Sequence, residues 1–210
     1  HRDLHSFPTR RSSDLKGDCV GGLAGYFYSS SITNCRVTGS VVSNPSSHSS
    51  DVGGLVGQQW EGIISGCYSL CSVSAFSSSD NKLYVGGLVG RQFSSSSITK
   101  IVNCYSAGLV CATGISSCRG GLLGWRNASA ETVSSSFWDT QTSGLLYSAG
   151  GKGKTTAEMK TLSTFISAGW DFTGTWFMPY NSYPHLLWDK YSGGSGTEAD
   201  PYRIGHAEDI

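Results

Sequence analysis

Apolar and small residues recur along this chain in short blocks, not in the stripe of an amphipathic helix. Val20-Gly21-Gly22-Leu23-Ala24-Gly25, Val52-Gly53-Gly54-Leu55-Val56-Gly57, Val85-Gly86-Gly87-Leu88-Val89-Gly90 and Arg119-Gly120-Gly121-Leu122-Leu123-Gly124 share one pattern. Their first glycines are separated by 32, 33 and 34 residues. Self-similarity at such a period marks a stacked array, in which no unit buries its apolar side alone. A second block trails each of the first three: Ile32-Thr33-Asn34-Cys35, Ile64-Ser65-Gly66-Cys67 and Ile101-Val102-Asn103-Cys104. Polar stretches rich in Ser and Asn, such as 43–50 and 76–81, lie between units and read as exposed loops where binding variability would sit.

The pattern predicts strands. A period of two through Val85–Gly90 sets Val85, Gly87 and Val89 on one face and Gly86, Leu88 and Gly90 on the other. Glycine weakens a strand unless another backbone must approach closely, so each repeat is expected to pair with the next in a coiled parallel sheet. In the second block, Ile101 and Cys104 are three apart and would face opposite ways in one strand. Asn34, Gly66 and Asn103 exchange at the position before the cysteine, as a left-handed bend permits. A corner follows the isoleucine, and a new strand runs inward from Cys104 through Ser106, Gly108 and Val110, or from Cys35 through Val37, Gly39 and Val41. The fourth repeat substitutes Ser136-Phe137-Trp138.

After Trp138 the texture changes. Thr155-x-x-Glu158 is a capping box opening a short helix of two turns through Met159 and Leu162. Gly169–Phe172 and Thr175–Met178 read as aromatic strands, and Pro184–Trp188 ends the unit. The basic stretch His1–Leu15 is unlike the rest; one back-translation of it reads as a common sequencing adapter, so it is expected to be non-native and to add nothing to the fold.

Composition narrows the chemistry. The formal charge is zero and charged residues are 14%, which gives no electrostatic footprint for nucleic acid. No apolar run reaches the ~20 residues of a membrane helix. Seven cysteines without a C-x-x-C pair, and His48 as the one histidine among the repeats, make poor metal spacing. Cys35, Cys67 and Cys104 share a register and are expected to be reduced, buried and stacked inward. Cys19 and Cys118 match in position but are too many rungs apart to pair. Gly153-Lys154-Thr155 lacks the earlier glycine of a phosphate loop, since Ser148 stands there. The Trp-Asp pairs at 138, 170 and 188 are spaced 32 and 18 apart, not the ~40 of a propeller, and read as core aromatics. Asp18, Asp51, Glu61 and Asp80, the acids of 16–130, recur at no shared register, so the paired carboxylates of a polysaccharide-cleaving enzyme are not expected.

The GGLVG blocks with their NCYS-type strands resemble the GLUG repeat of bacterial secreted and surface proteins, including adhesins and the accessory regions of IgA-specific peptidases. Ala24 and Arg119 depart from the pattern. The resemblance implies an all-β chain. A parallel β-solenoid of ~33-residue repeats over 16–138 would be followed by a small module with one short helix and aromatic-rich strands over 139–190. Residues 191–210 would begin a further, truncated module. The function implied is a non-catalytic, structural and adhesive region at the cell surface or outside the cell, presenting loops to a host or matrix protein or a glycan, with no cofactor. The alternative is an accessory region of a secreted peptidase or polysaccharide-degrading enzyme whose catalytic part lies elsewhere.

Overall fold

The computed structural model describes residues 19–45, 49–78, 81–94, 98–114, 116–127, 132–193 and 203–204. The expectations for His1–Leu15, for His48 and for most of 191–210 lie outside the described residues.

Each repeat is one coil of a solenoid. The first holds β1 (Cys19–Gly21), β2 (Ala24–Tyr28), β3 (Ser31–Thr33), β4 (Arg36–Val37) and β5 (Ser40–Ser43). The second holds β6 (Ser50–Gly53), β7 (Val56–Trp60), β8 (Ile63–Ser65), β9 (Tyr68–Ser69) and β10 (Ser72–Phe76). The third holds β11 (Lys82–Gly86), β12 (Val89–Phe93), β13 (Lys100–Val102), β14 (Tyr105–Ser106) and β15 (Val110–Thr113). A fourth, without the fifth strand, holds β16 (Ser116–Gly120), β17 (Leu123–Arg126), β18 (Val133–Ser134) and β19 (Phe137–Asp139). Equivalent strands pair in parallel into five sheets, β1-β6-β11-β16 being the first and β2-β7-β12-β17 the second. The register keeps like over like: Gly21 lies beside Gly53, Gly53 beside Gly86, and Gly86 beside Gly120.

The glycine block is a corner, not the single strand its alternation predicts. β11 ends at Gly86, the chain bends at Gly87 and Leu88, and β12 begins at Val89. Val85, Leu88 and Val89 are all buried, because a bend resets the period of two. The close approach expected of these glycines is present. A Cβ on Gly87 would overlap the carbonyl oxygen of Gly121 in the next coil, and a Cβ on Gly86 would lie 2.8 Å from Gly124 N. Neither glycine has the left-handed φ seen elsewhere in the chain, so sterics alone exclude a side chain.

The second corner is left-handed, as its Asn/Gly exchange predicts. Asn34, Gly66 and Asn103 have φ of 51°, 61° and 51°, and Ser135 continues the column at 45°. Two apolar clusters fill the coil. One gathers Leu55, Leu88 and Leu122 with Ile64, Ile101 and the cysteines; the other gathers Val20, Val52 and Val85 with Val73 and Val110.

Beyond β19 come α1 (Thr140–Ser143) and β20 (Lys152–Lys154), the latter pairing with β19. Asp139 caps α1 by accepting from Gln141 N and Thr142 N at 2.8 and 3.1 Å. Between them, Tyr147–Ala149 lies over the last corner. Gly121 N donates to Tyr147 O at 3.0 Å, Ala149 N donates to Leu123 O at 2.9 Å, and Ser148 Oγ accepts from Leu123 N at 2.9 Å. A short non-repeat segment thus satisfies backbone groups that a further coil would otherwise take.

The chain divides into compact units between Thr156 and Ala157. Where a two-turn helix is expected, two one-turn helices form, α2 (Thr156–Met159) and α3 (Leu162–Ile166). Thr161 Oγ1 donates to Ala157 O and Thr164 Oγ1 to Glu158 O, each at 2.8 Å, and these hydroxyls end α2 early. Gly169–Phe172 is a turn, not a strand. The Asp171 carboxylate accepts from Thr173 N, Gly174 N and two threonine hydroxyls, which folds the backbone back. Only Trp176–Phe177 of the second aromatic stretch is a strand (β21), antiparallel to β22 (His185–Leu186), and a 3-10 turn over Leu187–Lys190 follows. Trp170 and Trp176 pack at 4.4 Å between centroids, with Phe165 edge-on to Trp170 at 4.8 Å. Tyr191–Gly193 (β23) pairs antiparallel with Arg203–Ile204 (β24).

Candidate functional site

Because the coils stack in register, residues 32 to 37 apart form columns, and the columns are where chemistry could gather. Inside, Cys35, Cys67 and Cys104 stack as free thiols. Each thiol in the next coil accepts the previous cysteine's backbone N–H: Cys35 N to Cys67 Sγ and Cys67 N to Cys104 Sγ, both 3.4 Å. Each thiol also donates to the carbonyl two residues back, at 3.2 Å for Ser65 and Val102. Ser136 fills the fourth rung with the same pair of bonds, from Cys104 N at 3.1 Å and to Ser134 O at 2.8 Å. Cys67 and Cys104 are buried as expected, while Cys35, on the first coil, is only half-buried. Burial pushes the Cys67 thiol well above its ordinary pKa, and the hydrogen bond to Cys67, with burial second, does so for Cys35. A thiol held neutral is a poor nucleophile, so this column is suited to packing.

A buried polar column was missed from sequence. Gln59 and Gln92, both 0% exposed, sit in one register between Phe27 and Arg126. Gln92 Nε2 donates to Gln59 Oε1 at 3.0 Å, Gln59 Nε2 to Gly62 O at 2.9 Å, and Thr132 Oγ1 to Gln92 Oε1 at 3.1 Å. The two glutamines lie 33 residues apart, which is the only signal the sequence carried.

The outer face of the second sheet carries the candidate binding surface. One column runs Tyr26, Gln58, Arg91, Trp125, and beside it runs Tyr28, Trp60, Phe93. Trp60 and Phe93 stack at 4.9 Å, so the rings cover one another and turn their edges to solvent. Tyr26 and Tyr28, on the first coil, are 53% and 59% exposed. The Arg91 guanidinium lies 4.1, 4.6 and 5.1 Å from the rings of Phe93, Tyr84 and Trp125, within cation–π range. Its Nη1 is 3.8 Å from Asp51 Oδ2, on a carboxylate that is nearly buried. Asp51 thereby serves Arg91, and Glu61 occupies a separate left-handed corner, at φ 63°. Among the described residues no group of three His, Cys, Asp or Glu could hold a metal. Gly153 and Lys154 lie in β20, paired with Trp138 and Asp139, where they form an edge rung instead of a phosphate loop.

The match to known proteins falls on the first coil. Residues 17–42, from its first strand to Val42, match the family model of the GLUG motif. The first coil carries the GLUG motif. The second, third and fourth coils follow it, each paired with the one before in matched register, and they carry equivalent glycines at the same corner. A protein of Evansella cellulosilytica, provisionally named a Gly-rich membrane protein, is 42% identical over 103 residues. That alignment covers 48% of this chain and 11% of the relative, so the chain spans about a tenth of that protein's length. No solved structure gives a significant match. Among the described residues no helix is long and apolar enough to cross a membrane, which does not bear on β-barrel spans.

Proposed function

We propose that this GLUG solenoid is a non-catalytic part of a bacterial cell-surface or secreted protein, which holds a binding surface away from the cell and adheres to a matrix protein or glycan. The observation that carries this reading is the 42% identity to a relative whose name places it at a membrane. The stacked coils support it: a solenoid grows in length coil by coil while keeping one sheet face continuous, and here that face carries exposed Tyr26, Tyr28 and Trp60. Asp51 bound to Arg91 and Glu61 at a corner do not converge as a hydrolytic pair would.

Two measurements test the reading together. Antibody to the chain should label intact producing bacteria, and protease added outside should remove the label; signal confined to the cytosolic fraction would reject a surface role. Beads coated with the protein should adhere to immobilised matrix proteins or glycans without releasing reducing sugar or cleaving peptide. Turnover of either polymer would favour the accessory-enzyme alternative instead.

A further inference from the structure

On the outer face of the second sheet, four side chains of the first two coils make a small rectangle. Tyr26 lies beside Gln58, and Tyr28 beside Trp60. Strand geometry sets its sides at about 7 Å along the chain and about 5 Å between coils. Tyr26, Tyr28 and Trp60 are the exposed aromatics here, carried on strands paired into the sheet. Phe93 covers one side of the Trp60 indole at 4.9 Å. The other side is turned toward the first coil, where Tyr28 makes no ring contact with it among the described residues. Gln58 Oε1 accepts from the Cys19 thiol at 3.2 Å, and that bond leaves the amide N–H groups to donate. None of the four side chains is charged. Arg91, next in the Tyr26–Gln58 column, is already engaged by Asp51 at 3.8 Å and by three rings.

Aromatic faces bordered by phenol, indole and amide groups match a ligand with apolar faces and a polar rim. A pyranose ring with equatorial hydroxyls is built this way, with C–H bonds on both faces and hydroxyls around its edge. The electron-rich face of an aromatic ring attracts such C–H groups. We propose that this rectangle binds a neutral polysaccharide of equatorial sugars, with Trp60 and Tyr28 against the ring faces and Gln58 and the Tyr26 hydroxyl on the rim. The assignment rests on the adhesive reading above and names its ligand class. Charge selects a neutral chain. The Glu61 carboxylate directly follows Trp60, and an anionic ligand would meet its like charge there. Size selects a saccharide over a folded protein. The four strands, of four or five residues each, outline roughly 300 Å², against about 800 Å² per partner in a standard protein interface. An extended peptide would add at a strand edge through its backbone, which leaves these outward side chains unused.

The test is titration of the 210-residue protein with cellopentaose and with chitopentaose, read by NMR at the indole N–H of Trp60. Oligogalacturonate and tetraglutamate are the charged saccharide and peptide controls. A neutral oligosaccharide should shift the Trp60 signal and leave that of buried Trp176 in place, with an affinity that salt hardly alters. In the variants, binding is followed at the side-chain amide of Gln58. Trp60→Ala should lower affinity about tenfold or more, and Tyr28→Ala severalfold. Circular dichroism and the thermal midpoint separate lost binding from lost fold. Tyr28→Ala, on the exposed first coil, decides the matter if Trp60→Ala unfolds with the loss of its Phe93 stack. No shift with either neutral oligosaccharide, unchanged affinity in Tyr28→Ala, or equal binding of oligogalacturonate or tetraglutamate would overturn the assignment. Bead adhesion to matrix proteins that survives both variants would leave the adhesive function standing and sink only this site.

Discussion

The backbone N–H of Cys67 donates to the sulfur of Cys104, 3.4 Å away in the next coil. The thiol is therefore a rung-to-rung acceptor as well as a small apolar filler, and its replacement depends on hydrogen-bonding capacity more than on size. Cys104→Ser should cost little, because Ser136 already performs the same two bonds one coil on. Cys104→Val should cost about 1–3 kcal/mol more than the serine variant, since it strands a buried donor. Urea denaturation of the two variants makes the comparison, and a more stable valine variant would show that only packing matters.

Thiol reactivity follows the same column. With an aromatic disulfide reagent in native buffer, exposed Cys118 should react first, half-buried Cys35 more slowly, and Cys67 and Cys104 only on unfolding. Mass mapping of the labelled sites gives the order. Because the folded state raises the Cys67 thiol above its ordinary value of 9.0, that stabilisation is complete below 9.0 and declines as pH rises beyond it. Cys67→Ser should flatten this alkaline loss.

The corner glycines should resist any side chain. Gly87→Val drives a Cβ into the Gly121 carbonyl and to within 2.8 Å of Ser106 Oγ, and should cost about 3 kcal/mol or more. Gly22→Val, on the first coil where neighbours are half-exposed, should cost less. The control is Ser74→Val. Its column neighbour on the first coil is exposed Val42, and the change should be nearly neutral. Denaturant midpoints of the three variants rank them, and a neutral Gly87→Val would contradict the close-packed corner.

The Gln59–Gln92 bond offers a double-mutant cycle. Each single change to leucine leaves a buried amide group without its partner and should cost about 1–3 kcal/mol. Changing both should cost clearly less than the sum. Additivity would show that the two amides act independently.

Asp171 should titrate far below a typical carboxylate. The hydroxyl of Thr173, then the amides of Thr173 and Gly174, hold its pKa at about 2. The folded form favours the carboxylate, so its contribution is complete above the ordinary value of 3.8 and is lost as pH falls through about 2. Chemical shifts of the Thr173 amide followed against pH give the midpoint directly, and a midpoint near 4 would reject the turn.

The parts of the fold that were legible are those where residue type dictates backbone. The Gly/Asn exchange at 34, 66 and 103 announced a left-handed corner before any coordinate, because few residues accept positive φ. The alternation of Val85–Gly90 misled, since a bend and a strand can share one apolar pattern and only the stacked neighbours tell them apart. The Asp171 turn and the split helix were hidden for a related reason. Side-chain hydroxyls and carboxylates there outcompete weak local propensity, and their reach is set by geometry that composition does not record. The buried Gln59–Gln92 pair showed in the sequence only as two glutamines 33 residues apart, because spacing alone does not say which face a polar side chain takes.

In-register stacking also shapes how such a gene can change. Gly53 and Gly86 occupy equivalent points on adjacent coils. Excising the 33 codons from one to the other would join chain ends already arranged alike, and duplicating them would insert a coil whose partners above and below are ready-made. Recombination between like codons thus becomes a ruler: lineages can lengthen or shorten the solenoid in whole coils while the segment that covers its last corner is carried unchanged.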